Sequence, residues 1–193
     1  MAAALTVASA ADSAAAAGAP EGAQWVTKKV FFVYAGIQTQ YGCDGFRDQM
    51  RKVLLQLGAR KSDLDVRETG CGPGLNQATH STGVSGTMSV LEPVQLAQGD
   101  SANRGAGAVA ASAGPGVVAA HWQAVQVRLD PPGRDVNGQC ELLQQIKSHI
   151  LPLFATRNVQ YDPVCSPRAL LVGPTSLRLE VLTVDHTSDV ARE

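Results

Sequence analysis

The spacing of apolar residues along the chain predicts six strands and two helices. β-Branched and aromatic residues fill positions 28–35 (KKVFFVYA), which indicates a buried strand. Apolar residues then recur at helical spacing from Phe46 to Leu57, so an amphipathic helix should follow and end at Gly58. Alternation of apolar and polar residues in DLDVRET and in GTMSVLEPV predicts two further strands.

The same order of elements restarts near position 120. HWQAVQVRL alternates as a strand, and CELLQQIKSHILPLFA has the apolar spacing of a helix whose last turn Pro152 should kink or shorten. NVQYDPV and SLRLEVLTV supply the last two strands. When the halves are aligned on Cys43 and Cys140, which should open the two helices, core positions match at three, ten, eleven and fourteen residues beyond each cysteine. This agreement favours a tandem duplication, although two amphipathic helices can also agree by chance.

These elements predict an α/β (α+β) fold made of two tandem β-α-β-β repeats, with one mixed sheet and two helices packed on one face. The first repeat should span 26–94 and the second 120–184. Between them, positions 95–119 are rich in glycine, alanine and serine, which predicts a flexible linker. Positions 185–193 should form a tail.

The first twenty residues favour export of the protein to the periplasm or the outside of the cell. Positions 1–20 contain eleven alanines and no basic residue, and they include small-residue patterns such as ASA that signal peptidases cleave. The positively charged start of a signal peptide is absent, so we interpret this segment as a signal-peptide remnant. The alternative is a disordered, alanine-rich tail on a cytoplasmic protein.

Four cysteines occur in two similar settings, and an even number suits an oxidising compartment. A helix begins at the end of one strand, and the next parallel strand finishes at that same end of the sheet. This topology predicts the disulfides Cys43–Cys71 and Cys140–Cys165, each closing a loop of roughly 25 to 30 residues and contributing about 3 to 4 kcal/mol. A thiol redox or metal-binding role for the four cysteines is the alternative, although no C-x-x-C pair is present.

Composition and charge exclude several functions. Sixteen basic residues face seventeen acidic ones, and a net charge of −1 gives no electrostatic footprint for nucleic acid. No apolar run is long enough to predict a transmembrane segment. The four histidines are scattered without metal-binding spacing, and neither a Walker loop nor a nucleophile elbow occurs. We therefore expect no resident metal and no cofactor.

One glycine-rich stretch has the form of a cofactor loop. VRETGCGPG, at positions 66–74, resembles motif I of the class I methyltransferases through Glu68, Gly70, Gly72 and Gly74. In that family the glycines let the backbone approach S-adenosylmethionine, and a second acidic residue, here Glu92, holds the ribose hydroxyls. The resemblance implies an S-adenosylmethionine-dependent methyltransferase and covers nine residues, or about 27 with Glu92. The alternative is a tight chain reversal beside a disulfide.

The sequence favours a non-enzymatic, exported and disulfide-stabilised binding or accessory protein. This hypothesis rests on the lack of a catalytic constellation and on the predicted sheet, whose exposed edge can pair with an extended segment of a protein partner. Methyl transfer at the glycine-rich stretch and thiol redox or metal chemistry remain the alternatives.

Overall fold

The structure is a computed structural model that describes residues 20–36, 41–70, 81–94, 116–129, 136–162 and 176–184. This part of the chain is α+β, with six strands in one open antiparallel sheet and two helices. Its strands and helices are, in chain order, β1 Glu21–Ala35, α1 Cys43–Gln56, β2 Asp65–Thr69, β3 Ser81–Pro93, β4 Val117–Val127, α2 Val136–Gln145, β5 Thr156–Asp162 and β6 Ser176–Thr183.

The described residues of each half form a strand, a helix and two further strands, in that order. The strands lie in the order β2-β3-β1-β4-β6-β5, and all the described pairings are antiparallel. The prediction of a mixed sheet was therefore wrong. β1 and β2 do run in the same direction, but β3 lies between them and pairs with both, so the two parallel strands are never neighbours. β6 separates β4 from β5 in the same way.

The amphipathic face of α1 packs on one face of the sheet, as its apolar spacing predicted. The five predicted core residues from Phe46 to Leu57 are all buried. The ring of Phe46 lies 6.0 Å from that of Phe32 and 5.9 Å from that of Tyr34, both on β1. The helix ends where predicted, because Gly58 adopts a φ of 93° that favours glycine.

The second helix covers the same face of β1 but has a different course. A π-helical turn, Ile146–Ile150, and a 3₁₀ turn, Leu151–Leu153, continue α2. Pro152 lacks the N–H that a further α-helical turn requires, which accounts for the tightened end and confirms the predicted shortening. Cys140 does not open the helix as predicted, since α2 begins at Val136 and the cysteine lies one turn further on.

One hydrophobic core joins the two halves. Its buried residues come from both helices and from all the strands except β5. A second, smaller cluster lies where the first strands of the two halves meet, and it comprises Ala23, Leu91, Ala120 and Leu182 with Trp25 and Trp122 against them. The described residues of the two halves therefore fold against each other.

The first strand of each half starts earlier than its apolar run predicted. β1 starts seven residues before the predicted start, at Glu21, and β4 starts at Val117, inside the predicted linker 95–119. Most of that linker, most of the predicted signal-peptide remnant and the tail from residue 185 lie outside the described residues. None of the described helices has the length and apolar character that crossing a membrane requires.

Candidate functional site

The glycine-rich stretch begins at the end of β2. Glu68 lies in this strand, and Gly70 follows it with a φ of 79°, a left-handed conformation that favours glycine. The two remaining glycines of the resemblance, Gly72 and Gly74, lie outside the described residues. The described part of the stretch is therefore a strand end followed by a glycine turn.

The two acidic residues assigned to a cofactor are far apart, since Glu68 in β2 lies beside one end of β3 and Glu92 lies near the other end. Glu68 is opposite Val84 in the strand register, and Glu92 follows Val84 by eight residues along the same strand, about 27 Å away. A carboxylate oxygen of Glu68 lies 3.0 Å from Nη1 of Arg47, and one of Glu92 lies 2.6 Å from Nζ of Lys28. The structure does not bring these two carboxylates together, and each has a cation beside it.

Only two of the four cysteines lie in the described part of the chain. Cys43 and Cys140 are both buried, and neither is a free thiol. The Thr82 hydroxyl group donates a hydrogen bond to Sγ of Cys43 over 3.9 Å. Cys71 and Cys165 fall outside the described residues, so both disulfide pairings stay predictions. Among the residues that the structure describes, no group of three or more potential metal ligands comes together.

The inner edge of β1 is paired over only part of its length. β3 pairs with the strand from Ala23 to Ala35, whereas β4 pairs with it only from Glu21 to Gln24. Beyond Gln24 the two central strands run away from each other in opposite directions. Among the described strands, none pairs with this edge of β1 from position 25 to position 35, and we call it the open edge.

The backbone groups of alternate residues point toward the open edge. Successive residues of a strand direct their N–H and C=O groups to opposite edges. The Gly22 carbonyl accepts a hydrogen bond from the N–H of Val94, the residue directly after β3. Gly22 therefore directs its backbone groups toward β3, so the even-numbered residues of β1 face β3 and the odd-numbered residues face the open edge. In the described part of the chain, no group bonds the backbone at the odd positions from Thr27 to Val33 on this side.

A glutamine side chain closes the far end of the open edge. Oε1 of Gln145, in α2, accepts a hydrogen bond from the Ala35 N–H over 3.3 Å, and its Nε2 donates to the Ala35 carbonyl over 3.0 Å. Gln56, in α1, makes the same pair of bonds to the backbone of Arg128, just after β4. Each carboxamide thus occupies the place of a residue in a neighbouring strand, and each belongs to the opposite half of the chain.

Exposed apolar side chains stand beside this edge. Phe31 is 71% exposed and Val33 is 40% exposed, and both project from the face opposite the helices, because the alternate residues Val30 and Phe32 are buried. Lys29, on the same face as Phe31, is exposed too. The open edge therefore combines unpaired backbone groups with an aromatic, an aliphatic and a cationic side chain.

A second concave feature lies where the two halves meet. The end of α1 and the turn after it approach β1, β3, β4 and β6 and leave a cleft of about 810 Å³, which we call the junction cleft. Its apolar walls come from both halves and consist of Trp25, Leu55, Ala59, Leu91, Val125 and Val184. Polar and basic side chains also line it, namely Arg51, Gln56, Arg60, Lys61, Ser62, Gln123 and Thr183.

Among the described residues, three cations and no carboxylate line the junction cleft. The guanidinium group of Arg60 lies 5.3 Å from the centre of the Trp25 ring, and its Nη1 is 3.8 Å from Oδ2 of Asp63, outside the cleft lining. Hydrogen bonds from Ser62 and Ser89, and then the charge of Arg60, lower the pKa of Asp63 from its ordinary value. This carboxylate therefore stays charged at neutral pH and offsets part of the charge of Arg60.

Sequence reasoning missed the residues that define both features. Gln145 and Gln56 carry no pattern that marks a backbone-bonding role, so only the fold reveals them. Trp25 and Arg60 do carry a signal in the sequence, because the same distance of 97 positions separates Trp25 from Trp122 and Arg60 from Arg157.

Comparison with known proteins gives no relative for this chain. No protein-family model, no curated protein and no solved structure matches it.

Proposed function

We propose that this protein is an exported, disulfide-stabilised binding module that pairs its open edge with an extended segment of a partner protein. The observation that carries this proposal is the backbone of β1 from Thr27 to Val33, which no described strand pairs on one side, next to the exposed ring of Phe31. An added strand gains affinity from main-chain hydrogen bonds and specificity from alternate side chains. A long, exposed and apolar edge otherwise promotes aggregation, and proteins usually protect such edges.

The side chains of the open edge indicate the chemistry of the partner segment. Residues directly opposite each other on paired strands project from the same face of a sheet. A partner residue opposite Phe31 or Val33 should therefore be apolar or aromatic, and one opposite Lys29 should be acidic. The expected partner is an extended segment in which apolar residues alternate with others and at least one carboxylate is present.

A second copy of the chain fits the open edge less well. If β1 pairs antiparallel with a second β1 so that Phe31 lies opposite Lys29, the two Lys29 side chains become diagonal neighbours on the same face. Long side chains at such positions are within reach of each other, so the two positive charges repel. Shifting the register either places the two lysines directly opposite each other or extends the ladder to Ala35, where Gln145 already bonds the backbone. A different protein with a carboxylate opposite Lys29 avoids the repulsion between lysines and does not need to displace Gln145 from Ala35.

Photo-crosslinking in the native host tests the proposal. A photoreactive phenylalanine analogue at position 31 should crosslink to one defined partner, whereas the same analogue at Val159, an exposed residue of β5, should not. Lys29→Pro should abolish the crosslink, because proline removes an N–H that faces the open edge. Equal crosslinking at both positions, or crosslinking that survives the proline, would contradict the proposal, and a dimer of this chain would assign the edge to self-association instead.

Amide hydrogen exchange gives an independent test on the purified protein. Amides of the odd positions from Thr27 to Val33 should exchange fast, and those of the even positions between them should exchange slowly, because only the latter bond to β3. A synthetic peptide of the crosslinked partner segment should protect the odd positions. Uniformly slow exchange in the free protein would show that the edge is already paired.

The export and disulfide parts of the proposal have their own test. Intact mass of protein purified from the native host, alkylated with and without prior reduction, measures the mature N-terminus and the thiol state together. We expect a trimmed N-terminus and four cysteines that react only after reduction. A full-length chain with four free thiols would contradict export and both predicted disulfides, Cys43–Cys71 and Cys140–Cys165.

We also propose that the two halves are a tandem β-α-β-β duplication. Trp25 and Trp122 lie on the first strand of each half, and in each half an arginine, Arg60 or Arg157, stacks over the indole. The spacing of 97 positions that relates these residues also relates Cys43 to Cys140, which supports one common origin. An experimental structure in which the halves superpose at this spacing is the expected result, and superposition at another spacing would contradict the proposal.

A further inference from the structure

Two cations of the junction cleft carry positive charge that no carboxylate in the described part of the chain offsets. Nη1 of Arg51 donates to the Leu64 carbonyl over 3.1 Å, and among the described residues neither Arg51 nor Lys61 forms an ion pair. A guanidinium group has five N–H donors, so this one bond leaves Arg51 able to hold an anion. Because no carboxylate of the described residues lines the cleft, a bound anion would supply the negative charge.

At the equivalent position in the second half, a carboxylate compensates the positive charge of the arginine. The Arg157 guanidinium group lies 4.5 Å from the centre of the Trp122 ring, much as Arg60 stacks on Trp25. Nε of Arg157 also donates to the carboxylate of Glu180, which forms a salt bridge there. In the first half, Nη1 of Arg60 lies 3.8 Å from Oδ2 of Asp63, and Lys61 and Arg51 line the same cleft. Among the described residues, these two cations give the cleft positive charge beyond the Arg60–Asp63 pair.

The walls of the cleft suit the rest of such a ligand. A volume of about 810 Å³ lies within the range of cavities that hold small organic molecules. The indole of Trp25 and the side chains of Leu55, Leu91, Val125 and Val184 offer apolar surface from both halves. An apolar molecule gains from contact with this surface, and an anionic group on it gains from the three cations.

We propose that the junction cleft binds a small amphipathic carboxylate, whose anionic group meets Arg51 and Lys61 and whose apolar body lies against Trp25 and the aliphatic walls. The planar guanidinium fork of Arg51 matches the two oxygens of a carboxylate. The cleft and the open edge meet at Trp25, but none of the odd positions from Thr27 to Val33 lines the cleft. Beyond Trp25 the two proposals rest on different groups, so each can be tested by itself.

Calorimetric titration with a matched series of ten-carbon probes tests the ligand class. Decanoate should bind with a stoichiometry of one and at least about tenfold more tightly than decanol, because charge-assisted hydrogen bonds add to the apolar contact. Decyltrimethylammonium, with the opposite charge, should bind more weakly than decanol. Equal affinities for decanoate and decanol would overturn the proposal, and tighter binding of decyl phosphate than of decanoate would assign the site to phosphate esters instead.

Two glutamines on β4 provide a matched pair of variants. Gln123 lines the cleft, whereas Gln126 is exposed on the other face of the same strand. Gln123→Glu adds one negative charge to the cleft and should weaken decanoate binding by about fivefold. Gln126→Glu changes the net charge equally and should leave the affinity unchanged. A similar loss in both variants would show a general effect of net charge and overturn the assignment to the cleft.

Three more variants separate the site from its alternatives. Lys61→Gln should weaken decanoate binding by about fivefold, whereas Arg157→Gln, at the compensated position of the second half, should not. Lys29→Pro, which disables the open edge, should bind decanoate with wild-type affinity. Loss of decanoate binding in Lys29→Pro would overturn the independence of the two sites, and loss in Arg157→Gln would overturn the placement in the first half.

Discussion

The outer edges of the sheet and the inner edge of β1 differ in how they resist pairing with another strand. β2, at one outer edge, has five residues, and Asp65 and Arg67 give it a charged, exposed surface. β5, at the other, has an irregular register between Arg157 and Gln160, and Asn158 between them adopts a φ of 53°. Short length, charge and bulges are the usual means by which proteins prevent edge-to-edge association.

The open edge of β1 has few of these protections. It continues for eleven residues beyond its pairing with β4, in register with β3 throughout, and it displays Phe31 and Val33. Lys29 is its one exposed charge, and the Gln145 side chain closes one end. In the described sheet, the two outer strands are thus protected against pairing with another strand, whereas the central strand β1 is not. This difference is the one expected if the open edge pairs with a partner segment, as proposed.

Adjacent lysines on β1 give the largest expected difference between the two edges of this strand. Lys28 directs its N–H toward β3, opposite Met88, and Lys29 directs its N–H toward the open edge. Lys28→Pro should lower the free energy of unfolding by about 2 to 4 kcal/mol, because it removes a ladder bond and leaves a carbonyl unpaired. Lys29→Pro should lower it by less than about 1 kcal/mol. Urea denaturation of both variants measures the difference.

Lys28→Ala is the control for side-chain loss. Nζ of Lys28 lies 2.6 Å from Glu92 and donates to the Leu153 carbonyl over 2.9 Å, so some of the effect of Lys28→Pro has nothing to do with the backbone. The alanine variant measures that part by itself. If Lys29→Pro lowers the free energy of unfolding as much as Lys28→Pro does after this correction, the open edge of β1 is already paired and does not differ from the edge that faces β3.

The Gln145 side chain marks the boundary of the open edge, and its loss should have a smaller effect. Gln145→Ala leaves the N–H and carbonyl of Ala35 to water and should lower the free energy of unfolding by about 1 kcal/mol. The exposed neighbour Gln144 serves as the control, and Gln144→Ala should change stability by less than about 0.5 kcal/mol. Hydrogen exchange at Ala35 should become as fast as at Val33 in the first variant only. Unchanged exchange at Ala35 would show that another group holds this end.

Much of the fold could be predicted from the sequence, because apolar spacing reports directly which faces are buried. The predicted core residues of both helices are buried, and both helices pack over β1. Strand order could not be predicted in the same way. Alternation places a residue on a face of the sheet, but it does not say which strand lies beside it, so the insertion of β3 between β1 and β2 gave no signal.

The candidate sites were harder to predict than the fold. Glu68 and Glu92 match a cofactor motif and are close in sequence, but in the fold they lie near the two ends of β3 and far from each other. The open edge depends on where β4 stops pairing with β1, which is a property of tertiary geometry. The junction cleft depends on residues from both halves that are far apart in the chain. Neither feature follows from a local pattern of residues.

The protected outer edge at β5 predicts a small dependence of stability on pH. Hydrogen bonds from Arg157 and Asn158 lower the pKa of Glu180 below its ordinary value of 4.5. A carboxylate whose pKa is lower in the folded state stabilises the protein above the unfolded pKa, and this contribution is lost as the pH falls through the folded value. The gap in the free energy of unfolding between wild type and Glu180→Gln should therefore be full at pH 7 and shrink below about pH 4.5. Urea denaturation at several pH values measures the gap, and a gap that does not change with pH would show that the Arg157–Glu180 pair does not stabilise this edge.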